Sequence, residues 1–478
     1  MNSPHRSKTL QQIRYLIADL LSTELAFWVF NIVRFYLLEA EHSMGGSLWD
    51  YIGSTKLVLE QCIVPPCLLF IYWLSGYYNN PLIRSRLQEF SVTFFTAWIN
   101  TIIIYLVLLI NDQTGHRKIN YEMIIILFGL LFFCTYSLRW AITEFTLSQY
   151  RKEKWHRRVL IIGNSKVSRK VAKHLVSSNK AEGYVVCGFV SIPGENDVKN
   201  AMGSTPVVPF NRIEKAIKEY EVDQVILAPE NHDDKKVMKL LSVLFPLKIP
   251  VKISPDTFSF VTSSIRMKDI YAEPFVDLTG PAISEASKNI KRSFDVSMSL
   301  FIMLALSPLY LVLALIVKFS SPGGIFYSQE RIGRYQRPFN IYKFRTMVQD
   351  AEKEGPQLSS SDDPRVTPIG KWMRKYRFDE LPQFFNVLKG EMSIVGPRPE
   401  REFYIKQIVE KAPYYTLVCQ VRPGITSWGM VKYGYASTVT QMVERTRYDL
   451  IYLANMSLSV DMKILIYTIK TVIGGEGV

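Results

Sequence analysis

The sequence predicts a membrane α plus α/β protein in three parts. These are a four-helix N-terminal transmembrane bundle over residues 1–150, a Rossmann-like parallel sheet domain over 151–283, and a C-terminal domain over 284–478. Three observations predict this. Long apolar stretches crowd the first 150 residues, strand and helix patterns alternate over 157–253, and an apolar run at 294–317 is broken near its middle by Ser307-Pro308.

The chain has 478 residues, a length that suggests about three domains. Hydrophobic residues make up 48% and aromatics 13%, and 57 Lys+Arg against 43 Asp+Glu leave a formal net charge of +14. That excess suits anionic lipid surfaces or phosphate-bearing substrates. Nucleic acid is not an expected partner, because there is no recognised binding module and no uninterrupted basic tail. Cys62, Cys67, Cys134, Cys187 and Cys419 form no CxxC, and they are expected as small buried hydrophobes in a reducing compartment. The six histidines are scattered and suggest no zinc site. No cleavable signal peptide is expected, since no small-residue cleavage site follows the first apolar run.

Taken in order, the N-terminal part offers four spans, at about 13–33, 57–78, 90–110 and 121–142. Asp19 and Glu24 interrupt the first, and Glu60 and Pro65-Pro66 the second. Asp19 is expected near a helix end and Glu24 in a pair within the bundle. Arg6, Lys8 and Arg14 precede the first span. Arg84 and Arg86 lie between the second and third, and Arg151, Lys152, Lys154, Arg157 and Arg158 follow the fourth. This bias puts those three segments, and both ends of the bundle, on the cytoplasmic side. Arg117 and Lys118, in the third loop, run against it.

RVLIIGN, YVVCGFVSI, DQVILAP and IPVKIS read as buried strands. SRKVAKHLVSS, FNRIEKAIKEY and DDKKVMKLLSVLF read as the helices between them. This rhythm gives a parallel sheet with a nucleotide-sized position at the turn after the first strand. The turn, Gly163-Asn164-Ser165-Lys166-Val167-Ser168, keeps only the first glycine of GxGxxG, so a structural or regulatory domain is expected. Residues 254–287 read as a linker containing Pro255, Pro274 and Pro281.

The run at 294–317 is long enough to cross a bilayer, but Ser307-Pro308 breaks it. Proline interrupts the helix and the serine hydroxyl can satisfy a freed carbonyl, so a re-entrant helix is expected. SPGGIFYSQERIG and RPFNIYKFRTM read as two extended segments around a turn. Lys343 and Arg345 alternate with Tyr342 and Phe344, so both face one side, as a phosphate-binding pair would. Arg334 and Arg337 are left to lipid headgroups. Residues 349–361 read as a polar loop and a candidate lid. RPGITSWGM supplies Arg422, and the last 30 residues, interrupted by Asp461 and Lys463, suit helices lying in the membrane interface.

The centre of the C-terminal part is 362–399, where Asp379 and Glu380 stand side by side among Arg365, Arg374, Lys375, Arg377 and Arg398. Adjacent carboxylates repel and make poor core material, but between cations they suit a metal ion and phosphates. LPQFFNVLKG reads as a short helix ending at Gly390, with Asp379 at or near its N-cap. An ionised Asp there is a candidate nucleophile for phosphoryl transfer.

RVTPIGKWMRKYRFDELPQFFNVLKGEMSIVGPRPE resembles the signature of the bacterial sugar transferases, the polyprenyl-phosphate hexose-1-phosphate transferases. KRSFDVSMSLFIMLALSPL, QERIGRYQRPFNIYKFRTM, RPGIT and YDLIYLANMSLSVDMKIL extend the likeness over about 284–478. TSWGM at 426–430 departs from the TGWAQ or TGLWQ of many members and leaves the donor sugar open. The resemblance implies a monotopic catalytic domain facing the cytoplasm at the bacterial inner membrane. It implies that Asp379 attacks the β-phosphate of a UDP-sugar, that UMP leaves, and that polyprenyl phosphate then takes the sugar phosphate. It gives Glu380 a share in binding Mg²⁺, and Lys343, Arg345, Arg374 and Arg398 to phosphates or to shaping the site. Arg422 is a further candidate, for nucleotide or sugar. A homodimer through the N-terminal or sheet domain is compatible with this reading.

Two rivals are weaker. A membrane-bound NAD-dependent dehydratase needs a full glycine loop and a Tyr-x-x-x-Lys pair in the sheet domain, and Tyr150…Lys154 precedes the first strand. A non-catalytic scaffold for polysaccharide export would tolerate loss of Asp379 and Glu380. A P-loop kinase is excluded by the lack of GxxxxGK[ST].

Overall fold

The structure is a computed structural model. It describes residues 4–40, 47–79, 81, 86–108, 117–151, 156–178, 184–192, 205–230, 237, 240–241, 243–247, 249–253, 276–277, 283–349, 351, 355, 363–434 and 436–474. The candidate lid, the linker prolines, Arg84, Lys152 and Lys154 lie outside these residues, save Gln349, Ala351 and Gly355 of the lid.

Helices α1 (Pro4–Ala40), α3 (Thr55–Leu74), α4 (Arg86–Val107) and α5 (Arg117–Arg151) form the N-terminal bundle, with the short α2 (Leu48–Ile52) between the first two. Four segments, Lys8–Glu39, Thr55–Leu74, Arg86–Val107 and Lys118–Gln149, are long and apolar enough to cross a membrane. The chain is a membrane protein. The bundle interior is apolar at one level, where Phe27, Phe30, Ala97, Leu127 and Leu131 meet. At another it is polar. Asp19 lies well inside α1, not near its end. Both its carboxylate oxygens accept from Arg139 of α5, at 2.7 Å each, and Oδ2 also accepts from Tyr78 Oη at 2.7 Å. Arg139 donates to Thr93 Oγ1 at 2.9 Å and lies over the rings of Tyr77 and Tyr72. Away from water a lone charge is prohibitively costly, so this pairing is what lets Asp19 sit in a span. Glu24 accepts from Gln61, as expected of a paired carboxylate. Cys62 and Cys67 face outward rather than inward, on a helix whose outer face is apolar.

The middle domain is one sheet in the order β3-β2-β1-β4-β5-β6, from β1 (Arg157–Ile162), β2 (Tyr184–Ser191), β3 (Val207–Pro209), β4 (Gln224–Leu227), β5 (Val251–Ile253) and β6 (Val276–Asp277). α6 (Lys166–Ser178) and α7 (Ile213–Glu219) connect strands. All pairings are parallel except β6 on β5. The short β3 and β6 give no sequence signal, having three and two residues. Gly163 closes β1 at φ +125°, and a Cβ there would strike the Ala228 carbonyl. Its glycine therefore serves strand packing as well as the turn.

In the C-terminal domain, α8 (Glu285–Ala305) and α9 (Ser307–Ser320) are bent by 65° at Leu306, and Ser307 Oγ donates to the Leu304 carbonyl at 2.8 Å. Pro308 stands in the first turn of α9, where its missing N–H is no loss. The helix begins at Glu285, earlier than the apolar run itself. An antiparallel hairpin follows, β7 (Phe326–Ile332) and β8 (Pro338–Phe344). Then come α10 (Pro368–Lys375), a 3₁₀ turn at Phe378–Glu380, α11 (Gln383–Lys389) and β9 (Ser393–Val395). The chain ends with α12 (Glu402–Lys411), β10 (Gly424–Thr426), α13 (Trp428–Lys432), α14 (Val439–Ala454) and α15 (Leu458–Gly474). α15 exposes Ile466, Ile469 and Ile473 on one side and buries Asp461 on the other, the pattern of an interfacial helix.

Breaking the Asp19–Arg139 pair leaves one buried charge alone, at a cost of about 3–5 kcal/mol. Asp19→Leu and Arg139→Leu are each expected to lower the melting temperature of the full chain in detergent. The double variant should lose less than the two losses added, and simple additivity would contradict the pairing.

Candidate active site

The site is built on the turn between α10 and α11. Arg377 adopts the left-handed region, φ 56° and ψ 24°, which costs an L-residue about 1 kcal/mol. The reversal it makes turns Asp379 and Glu380 inward on the 3₁₀ turn, where both are buried. Asp379 is not the helix cap. Pro382 holds the N-cap position of α11, and the helix ends as expected at Gly390, φ 85°. Asn386, fully buried on α11, accepts from the Tyr342 backbone N–H at 3.1 Å and donates to the Asn340 carbonyl at 2.7 Å. Those bonds lock α11 to β8 and so set the carboxylate turn against Lys343.

Lys343 Nζ lies 2.8 Å from Glu380 Oε1 and 3.6 Å from Asp379 Oδ2. Arg377 approaches Glu380 Oε2 at 3.5 Å, and Arg398 approaches Oε1 at 3.8 Å. Burial alone would raise the Glu380 carboxyl, but Lys343, Arg377 and Arg398 outweigh it and hold the group below the usual carboxylate range. For Asp379 burial wins. It lifts the carboxyl above its ordinary value, Glu380 adds to the rise, and Lys343, Arg374 and Arg377 oppose it. The two neighbours are thus pushed apart. Glu380 is the firmly ionised member and Asp379 the more basic one, a division suited to a nucleophile beside a cation-binding carboxylate.

These residues line a cavity of about 620 Å³, within the range of sites that enclose small ligands. Lys343, Arg345, Arg374, Arg377, Asp379, Glu380 and Arg398 all reach its wall. Arg374 is oriented by its Nε bond to Thr346 Oγ1, at 2.9 Å. Arg345 shares the face of Lys343, but its guanidinium caps the end of α9, donating to the Ser321 and Pro322 carbonyls at 2.7 and 2.6 Å. Arg422 is not brought to this cavity. It donates to the Gly390 carbonyl at 2.8 Å and lines a separate, smaller pocket.

The cavity's far wall was not anticipated from sequence. Arg331 and Arg445 both pair with the buried Glu400, Arg331 at 3.6 Å, and Tyr404 and Met442 stand beside them. Asp449, buried next to Arg445, accepts from the Gly429 N–H, and its carboxyl is pushed up to about 6 by burial. Arg445 comes from an ordinary amphipathic stretch with no signal, whereas Arg331, Glu400 and Asp449 lie in motifs of the resemblance without being singled out there.

Among the described residues no cluster of three or more His, Cys, Asp or Glu is placed to hold a metal. The Asp379–Glu380 pair does fit an ion such as Mg²⁺, which takes one or two carboxylates and completes its shell with water and phosphate oxygens.

The fold and this site define a membrane-associated enzyme for phosphoryl chemistry. The family model described as bacterial sugar transferase matches residues 286–475, and one described as CoA-binding domain matches 74–255. A protein of Sinorhizobium fredii named exopolysaccharide production protein ExoY is 38% identical over 203 residues, 39% of this chain and 87% of that one. The UDP-glucose:undecaprenyl-phosphate glucose-1-phosphate transferase of Escherichia coli is 33% identical over 290 residues, 60% of this chain and 61% of that one. The UDP-N-acetylgalactosamine-undecaprenyl-phosphate N-acetylgalactosaminephosphotransferase of Aeromonas hydrophila is 43% identical over 188 residues, 39% of this chain and 44% of that one. The chain belongs to the bacterial sugar transferase family. Against the last two relatives it matches less than two thirds of their length.

A carboxylate attacks only when ionised, so on the expectation that Asp379 is the nucleophile its raised pKa sets the acid limb of the pH profile. Lys343→Met removes the nearest opposing cation and should move that limb up by about one to three pH units, with a lower kcat. Arg345→Met should leave the limb in place, because that guanidinium is spent on the end of α9. An unmoved limb in Lys343→Met would contradict the electrostatic assignment.

Proposed function

We propose that this protein transfers a hexose-1-phosphate from a UDP-sugar to polyprenyl phosphate at the cytoplasmic face of the bacterial inner membrane, beginning assembly of a surface glycan. The observation that carries this is the buried Asp379–Glu380 pair, ringed by Lys343, Arg374, Arg377 and Arg398 in a cavity of about 620 Å³. Membership of the sugar transferase family supports it, and relatives' names divide between glucose and N-acetylgalactosamine donors.

In the first step an Asp379 carboxylate oxygen attacks the β-phosphorus of the UDP-sugar. The bond from that phosphorus to the bridging oxygen breaks, and UMP departs with the electron pair. In the second, a phosphate oxygen of the polyprenyl phosphate attacks the same phosphorus. The aspartyl bond breaks, the lipid diphosphate sugar forms, and Asp379 is regenerated as a carboxylate. Arg374 and Arg398 orient the phosphates and stabilise the charge that moves onto the leaving group. Lys343 lowers the cost of keeping Asp379 ionised before attack. Glu380, with Asp379 beside it, would hold Mg²⁺, which supplies charge neutralisation on the diphosphate.

The membrane placement follows the same reading. Leu300, Phe301, Leu304, Leu311, Leu315 and Phe319 are exposed along α8 and α9, and the 65° bend lets both arms enter and leave one leaflet. A straight crossing would carry Asp379 to the side opposite the sheet domain, away from nucleotide-sugars. The Lys/Arg bias of the N-terminal bundle supports cytoplasmic ends.

The test is UMP release by the purified full chain with Mg²⁺, undecaprenyl phosphate and a panel of UDP-sugars, beside Asp379→Asn. Turnover with one donor is expected, falling by about three orders of magnitude or more in the variant. Comparable release by Asp379→Asn would overturn the mechanism.

A further inference from the structure

Arg422 belongs to a pocket that the transfer reaction leaves unused. This pocket, of about 80 Å³, is lined by Lys288, Lys291, Arg292 and Asp295 of α8, with Arg334 from the hairpin turn and Arg422 before β10. Its charges do not cancel. Lys291 is matched by Asp461 at 2.6 Å and Lys288 by Glu285 at 2.7 Å. Asp295 accepts from Ser393 Oγ at 2.7 Å and the Ile394 N–H at 3.1 Å, and its charge offsets only part of that of the arginines, Arg422 first. Arg292, Arg334 and Arg422 remain, each held by backbone carbonyls, with Arg334 also lying over the Tyr335 ring at 4.5 Å. Arg292 donates to Val387 and Leu388, Arg334 to Gln420 and Arg422 to Gly390. Among the described residues no carboxylate pairs with any of these three. Burial, then repulsion from Arg292 and Arg334, pulls the Arg422 pKa below its ordinary value. Three converging guanidiniums fixed by their backbone bonds make a preorganised receptor for an anion.

Size and position narrow the ligand. About 80 Å³ admits a phosphate-sized group, whereas a nucleotide needs a site of about 300 Å³ or more. Arg292 precedes the exposed Leu300 and Phe301 on α8 by on the order of 12 Å along the axis. That is the offset between a bilayer's headgroup layer and its hydrocarbon. Ile283, Val421 and Met456 add an apolar wall for the carbons next to the phosphate.

We propose that Arg292, Arg334 and Arg422 form a second anion site, separate from the Asp379 cavity, that takes the phosphate group of a membrane phospholipid and fixes the depth of α8 in the membrane. The site stands on these side chains alone, while its lipid source rests on the proposed placement of α8 in the bilayer.

Native mass spectrometry of the full chain, released from neutral detergent and titrated with phosphatidylglycerol, tests this. Wild type should retain the lipid, and Arg422→Gln and Arg334→Gln should each bind it about tenfold more weakly, the loss expected for one charge-assisted contact. Both variants are first compared with wild type by thermal melting. Arg334→Gln gives up the Gln420 bond and the contact with the Tyr335 ring but no bond inside a helix or strand, so it keeps the test open if Arg422→Gln fails to fold. Displacement of the lipid by millimolar inorganic phosphate would support the pocket with free phosphate as its ligand. Equal lipid retention by wild type and both variants would overturn the site. Asp379→Asn should retain lipid like wild type, so failure of the transfer reading and failure of this site read out separately.

Discussion

One lysine holds the chemistry together. Lys343 bridges two adjacent buried carboxylates that would otherwise repel. With no cation between Asp379 and Glu380, burial and mutual repulsion would favour protonation of one of them. With the lysine in place the pair is polarised. Glu380 sits among three cations and stays charged, while Asp379 feels one close cation and its neighbour's negative charge. Asp379 is thereby left the more basic of the two.

The bent pair α8–α9 is the frame on which this turn is mounted. Its first arm reaches the catalytic segment through Arg292, which caps the end of α11, and through Asp295, which fixes the start of β9. Its second arm packs Leu313 and Val317 against Phe344 and Met373, and Tyr310 Oη donates to the Leu381 carbonyl, one residue past the carboxylate pair. The N-terminal bundle grips the same frame. Asn79 bonds to Glu285 and Asn289, and Asn289 donates to the Trp73 carbonyl. Gly76, at φ +76°, leaves no room for a Cβ against the backbone of Glu285. Tyr78, next to Asn79 in the chain, donates to Asp19, which joins the buried Asp19–Arg139 pair to this contact.

Local chemistry made much of this legible in the sequence. The broken apolar run at Ser307-Pro308, the paired carboxylates, and the strand that aims Lys343 are all patterns of a few neighbouring residues. What stayed hidden depends on partners far apart in the chain. Asp19 was visible as an anomaly, but Arg139, its counter-ion 120 residues away, looked like one charge in a long apolar helix. The Glu400–Arg445 wall of the cavity joins residues 45 apart. Arg345 and Arg422 illustrate the limit of composition. Each reads in the sequence as an arginine for phosphate, nucleotide or sugar, yet one closes a helix end and the other faces a different pocket, because backbone carbonyls take their guanidiniums. β6, two residues long and antiparallel, has too little sequence to declare itself.

The central claim is that Asp379 becomes covalently phosphorylated by the sugar phosphate. The direct measurement is intact-protein mass spectrometry of the full chain mixed with its UDP-sugar donor and Mg²⁺ in the absence of polyprenyl phosphate, followed by peptide mapping. The account predicts a single added hexose-phosphate on the peptide containing Asp379, discharged when polyprenyl phosphate is supplied and missing from Asp379→Asn. Product formation with no such adduct, or with the adduct on another residue, would contradict it.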